Sequence, residues 1–293
     1  MLWPVPLGRN LGLHTMKAIT HAHGTLHVLL VTKRRVVVSA DALMVVGAEN
    51  TVIAEDCQKF WACGEQTIAG VAGTIQIEAN WHGIPQKPFD GEAIAGICSI
   101  PELRYRPREV LSRIAAAARE PMLRMLKMGE CRDVDLFQAY AIRRSPDGID
   151  FIQSRFPLTT MAGGKQVLGE AEFIWPFGRE SYVPEKMVVP TIGYPVRLGA
   201  QFDADSLGDS ALLRKVDEIF ELARKQNPKD ARAIGDPTHV AVIEQEGIRW
   251  LRKKPASIPE KRRAHGLSFW LRVAGPLVVA AAALKYLFSV LSK

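Results

Sequence analysis

From Thr25 the chain alternates in a strand-like way, with β-branched residues crowding Thr25 to Val31 and Val36 to Ala40 and Lys33-Arg34-Arg35 turning between them. Such runs predict a hairpin. A third strand is predicted from about Lys59 to Cys63, and Gly64-Glu65 turns it back into Gln66 to Val71. The run Ala69-Gly70-Val71-Ala72-Gly73 is all small or short, which permits a close backbone approach. Helical spacing follows. Thr74 can cap a short helix to about Trp81, and Pro107 to Lys127 carries Val110, Leu111, Ile114, Ala117 and Ala118 on one face. Pro121 predicts a kink or a break in that helix. Strands resume at Val134 to Ile142 and Ile149 to Phe156, around Pro146-Asp147-Gly148. Gly163 to Phe202 is rich in glycine and proline and shows no usable period. Asp209 to Lys225 is amphipathic, with Leu212, Leu213, Val216, Ile219, Phe220 and Ala223 inward, and His239 to Ile243 with Ile248 to Leu251 form a last hairpin. The order predicts an α+β chain, two antiparallel sheets stacked face to face with helices outside.

The pattern changes beyond the last hairpin. Residues 256–266 are polar and basic and read as a linker, and 267–293 read as a hydrophobic C-terminal helix. Val273 to Leu284 carries no charge, but twelve residues make only about 18 Å of helix against about 30 Å of hydrocarbon. Leu267 to Leu291 is long enough, with Arg272 and Lys285 inside it able to snorkel. Three readings stay open: a tail-anchored span, a helix lying on the membrane surface, and a helix packed on an oligomer.

At 293 residues the chain suits one large domain with appendages. Hydrophobic residues make up 47% and charged residues 24%, a globular composition. Part of the net charge of +7 sits in Lys253-Lys254 and Lys261-Arg262-Arg263, a flank of the kind that keeps the preceding domain on the cytoplasmic side of a membrane. No interleaving of aromatic and basic residues marks a nucleic-acid face, and no nucleic acid is expected. Cys57, Cys63, Cys98 and Cys131 form no CxxC pair and read as buried thiols of a reducing cytoplasm. The first residues lack the build of a signal peptide, and Met16 is a second candidate start.

The chemistry rests on spacing. Gly24-Thr25 opens the first strand, Asp41 ends the second, and Lys59 opens the third. The stretch TLHVLLVTKRRVVVSAD resembles the opening of the proteasome β-subunit and the bacterial HslV peptidase, where the mature chain starts at threonine and an aspartate lies sixteen residues on, as Asp41 does here. QKFWACGEQTIAGVAG is similar to that family's second hairpin, with Lys59 at its lysine and Gly73 at its oxyanion-hole glycine, and DARAIGDPTHVAVIEQEGIRWL is similar to its closing hairpin. The resemblance implies a four-layer αββα sandwich of the Ntn-hydrolase type. It implies residues 1–24 as an extension or propeptide, 25–255 as the hydrolase domain, and autocleavage between Gly24 and Thr25. Peptide or unfolded-protein substrates and a homo-oligomeric ring also come with it, and no cofactor or metal is expected.

A threonine hydroxyl needs a base. As first residue, Thr25 supplies one in its own α-amine, whose pKa a Lys59 ammonium would lower by like-charge repulsion. Asp41 would hold Lys59 charged, and the Gly73 amide would stabilise the oxyanion. Lys59 itself reads as an exposed or half-buried lysine whose loss leaves the fold intact. The chain also departs from the family. The interval from Asp41 to Lys59 is two residues longer than usual, Ala42-Leu43 stands where serine and arginine are expected, and Ile234-Gly235-Asp236 replaces Ser-Gly-Gly. Asp236 is the candidate for the supporting role of the absent serine. Two other classes compete: an unprocessed, non-catalytic Ntn-fold scaffold at a membrane, and an Ntn amidohydrolase acting on a small acyl-amide. His21, His23 and His27 offer a His-x-His metal alternative that cleavage would cut apart.

Overall fold

The computed structural model describes residues 19–23, 26–46, 51–55, 57–73, 76–81, 84–85, 89–127, 137–164, 166–199 and 202–253. Gly24, Thr25, the basic linker and the hydrophobic tail lie outside them. The described residues all belong to one unit ending at Lys254.

A short strand β1 (Ile19–His23) precedes the expected hairpin of β2 (His27–Val31) and β3 (Val36–Asp41). A second hairpin, β4 (Met44–Val46) and β5 (Thr51–Ala54), takes up the long interval between Asp41 and Lys59. Next come β6 (Phe60–Ala62), β7 (Thr67–Gly73), β8 (Gln76–Trp81) and β9 (Ile84–Pro85). Helices α1 (Gly91–Cys98) and α2 (Pro107–Lys127) lead to the hairpin of β10 (Phe137–Ser145) and β11 (Gly148–Arg155). Strand β12 (Leu158–Thr160) follows, and the segment without a readable period holds short strands β13 (Gln166–Leu168), β14 (Glu172–Ile174) and β15 (Thr191–Ile192). Helix α3 (Asp209–Gln226) and the hairpin of β16 (Pro237–Glu244) and β17 (Gly247–Arg252) close the described chain.

The fold is mixed α+β, and its paired strands run antiparallel. One sheet has the order β15-β2-β3-β16-β17, a second β14-β11-β10-β7-β6, and a third β5-β4-β1-β8-β9. Every residue of β2 and β3 is buried, because both faces of their sheet are covered. On one face Leu29, Val38, Ala40 and Ala241 meet Phe60, Ile68, Tyr140, Ile142 and Phe151 of the second sheet. On the other, Val28, Leu30, Val37 and Val242 meet Leu212, Val216, Ile219 and Phe220 of α3. The far face of the second sheet, through Val71, Ala139 and Ile152, packs on Ile94 of α1 and Val110, Leu111, Ile114 and Ala118 of α2. Each Val, Leu, Ile or Phe among them stabilises the fold by about 1.5–3 kcal/mol on burial.

Several expectations are corrected. Where a helix is predicted from Thr74 to Trp81, Gln76–Trp81 is instead strand β8, whose Gln76–Ala79 pair with Ile19–Ala22 of β1, in keeping with the polar–apolar alternation of Gln76-Ile77-Glu78-Ala79-Asn80-Trp81. Helix α1 went unpredicted, although Asp90 caps it by accepting from the amides of Glu92 and Ala93, both at 3.1 Å. Helix α2 continues through Pro121 without a break, and Ala115 joins its buried face while Ala117 is exposed. Cys63 and Cys98 are buried as expected, but they are paired as a disulfide, not held as thiols. Among the described residues no helix is long and apolar enough to cross a membrane. The small-residue run in β7 has its reason in Gly70: a Cβ there would lie 2.4 Å from the Tyr140 ring.

Candidate active site

Asp41 ends β3, and Lys59 stands immediately before β6 in the facing sheet. Neither side chain has any exposed surface, and the Lys59 ammonium donates to Asp41 Oδ1. Sequence reasoning placed Lys59 at or near the surface. The structure corrects this: Lys59 is wholly buried, because the pair bridges two sheets packed face to face. Burial drives the Lys59 ammonium downward and the Asp41 carboxyl upward, each towards its neutral form, and the partner's charge opposes both shifts.

The second oxygen of Asp41 accepts from the Gly235 amide at 3.1 Å. Its own amide donates to the Leu26 carbonyl at 3.3 Å, and the Cys57 amide donates to the Ala42 carbonyl at 2.9 Å. Asp41 is therefore tied to the residue after Thr25, and the chain beside it is tied to the segment that delivers Lys59.

Asp236, the candidate support, turns elsewhere. Its carboxylate is exposed and pairs with Arg224 at 3.1 Å. Its neighbour Gly235 is the one that reaches Asp41, through its backbone. A Cβ on Gly235 would sit 2.5 Å from Leu43 Cγ, so the turn can approach Asp41 this closely only because residue 235 has no side chain. Arg224 of α3 clamps the same turn, donating to the carbonyls of Ile234 at 3.2 Å and Gly235 at 3.0 Å. A cleft of about 320 Å³ opens here between Ala42, Leu43 and Glu55 on one side and Arg224, Gly235 and Asp236 on the other.

His27, two residues after Thr25, is fully buried and makes a second connection that the sequence did not reveal. One ring nitrogen, Nε2, lies 3.0 Å from the Val71 carbonyl, which only accepts, so Nε2 carries the proton. Nδ1 then accepts from the Tyr140 hydroxyl at 3.0 Å. Burial, followed by the Lys59 charge, lowers the His27 pKa to about 3, so the ring is neutral. The Val71 amide in turn donates to the Lys59 carbonyl at 2.9 Å. His27 thus couples the strand after Thr25 to the backbone that carries Lys59, and does so two residues before Gly73. Gly73 ends β7 at a φ of 77°, a conformation that favours glycine, and β8 begins soon after in the third sheet. His27 is engaged in the core, and among the described residues no group of three or more His, Cys, Asp or Glu is placed to hold a metal.

No protein family and no curated protein matches this chain. Asp41, Lys59 and Gly73 are described, whereas Gly24 and Thr25 are not.

Proposed function

We propose that the chain is an N-terminal-threonine hydrolase of the proteasome β-subunit and HslV kind, folded as a four-layer αββα sandwich and cutting peptide bonds. The observation that carries this reading is the buried Asp41–Lys59 pair held by the Gly235 amide. A buried ion pair costs desolvation that apolar side chains would avoid, and pairs of this kind cluster at functional sites. The three cores, α1 and α2 on sheet, sheet on sheet, sheet on α3, support the layer order. In this reading Thr25 Oγ1 attacks the substrate carbonyl and its proton passes to the Thr25 α-amine. The Lys59 charge keeps that amine unprotonated, and the Gly73 amide donates to the oxyanion. A homo-oligomeric ring with the C-terminal tail at a membrane belongs to the same proposal, while the Cys63–Cys98 disulfide removes the thiol argument for a reducing cytoplasm.

A second reading, the unprocessed scaffold, is favoured by one observation: β1, which precedes the cut, is built into a sheet. Intact mass of purified protein separates the two. The hydrolase reading expects wild type to begin at Thr25 and the Thr25→Ala variant to keep the residues before it. An intact N-terminus in wild-type protein would overturn the hydrolase reading.

A further inference from the structure

Ile19–His23 precedes the candidate nucleophile, yet it is the middle strand of a five-stranded sheet. Against one edge lies β4, with Ala22 opposite Val46 and His23 opposite Val45. Against the other lies β8, from Ile19 opposite Ala79 to Ala22 opposite Gln76. Both walls are continuous with the candidate site: β4 starts three residues after Asp41, and β8 starts three residues after Gly73. The strand is paired with β8 over Ile19–Ala22 and with β4 at Ala22 and His23, so Ala22 has a neighbour on both sides, and departure of the strand would expose an edge on each.

We propose that Ile19–His23 stays seated between β4 and β8 after the chain is cut behind Gly24, held by its backbone pairing. The cut adds water across one amide, leaving a carboxylate on Gly24 and an amine on Thr25, and it breaks none of the pairing in β1. The leader is then a resident strand of the mature protein, and an extended peptide enters the slot between β4 and β8 only by displacing it. The occurrence of a natural cut rests on the hydrolase reading. The retention of the leader does not, because the cut can be imposed.

The test uses the full chain carrying Thr25→Ala and a site-specific protease sequence inserted behind Gly24. After complete cleavage, verified on a denaturing gel, the protein is run on native gel filtration. Leader and body should elute together in equal amounts and separate only in denaturant. Adding Ala22→Pro, which removes an amide from a strand paired on both sides, should abolish the co-elution. Leader that elutes alone from the chain without Ala22→Pro overturns the proposal, as does undiminished co-elution with it. Should the inserted chain not fold, hydrogen exchange on the unmodified protein decides: the proposal expects β1 amides as protected as those of β8, and fast exchange across Ile19–His23 overturns it. The N-terminal mass of wild type reports separately on the hydrolase reading.

Discussion

Replacing Lys59 with methionine removes an ammonium from a site with no exposed side-chain surface and leaves the Asp41 carboxylate buried beside only part of its former support. Breaking one side of a buried ion pair costs about 3–5 kcal/mol. The cost has a ceiling, because Asp41 can take up a proton instead. Protonating a carboxyl of ordinary pKa 3.8 at pH 7 costs about 4 kcal/mol, at about 1.4 kcal/mol per pH unit. At pH 5 the same proton costs under about 2 kcal/mol. The sign follows from linkage: without Lys59, the folded-state pKa of Asp41 rises further above its unfolded value. The folded variant therefore gains stability as the pH falls through that window. Urea unfolding at pH 7 and pH 5 should show Lys59→Met destabilised by about 3–4 kcal/mol at the first pH and distinctly less at the second. Adding Asp41→Asn, whose amide oxygen still accepts from Gly235, should recover most of the loss at pH 7. A deficit below about 0.5 kcal/mol, or one that does not change between the two pH values, refutes the buried pair.

Other consequences follow from the neighbours of that pair. His27 has a folded pKa of about 3 against 6.5 unfolded, so its contribution is complete above pH 6.5 and is lost as the pH falls towards 3. His27→Gln should therefore show a stability deficit about 2 kcal/mol smaller at pH 5 than at pH 7.5, and a deficit equal at both pH values would contradict a buried neutral imidazole. Gly235→Ala should cost about 1–3 kcal/mol by overpacking against Leu43, with recovery when Leu43→Ala is added. Thermal unfolding checks both, and a Gly235→Ala chain as stable as wild type would mean the turn does not need its close approach to Asp41.

Legibility in the sequence followed the reach of each interaction. The hairpins of β2–β3, β6–β7, β10–β11 and β16–β17 were readable because alternation and turn residues are local. So were α2 and α3, each with one apolar face. Strand β8 was equally local, yet the capping threonine before it outweighed a clear two-residue period. Strand β1 could not be read from its own residues: its place is set by β4 and β8, and the resemblance assigned it to a leader. Asp41 and Lys59 were found through their register with Thr25. The supports were harder to see. Gly235 acts through its amide, which every residue but proline has, and only its close contact with Leu43 demands glycine. His27 meets partners 44 and 113 residues away, a pairing no spacing rule anticipates.

The full burial of Lys59 changes how the site must be tested. Were Lys59 at the surface, loss of activity in Lys59→Ala would by itself assign it a chemical role. Buried against Asp41, its removal disturbs the fold together with whatever chemistry Thr25 performs, since Asp41 also anchors the Gly235 turn and the Leu26 carbonyl next to Thr25. Inactivity in a single variant then carries no mechanistic weight. The variant pairing Lys59→Met with Asp41→Asn separates the two effects: it keeps the volume and the Gly235 hydrogen bond while deleting the charges. If that chain folds at near wild-type stability and still retains its leader covalently where wild type does not, processing requires the charged Asp41–Lys59 pair. If it folds and processes normally, processing needs neither charge, and peptide hydrolysis by the processed variant then tests whether the Thr25 amine, which exists only after the cut, depends on Lys59.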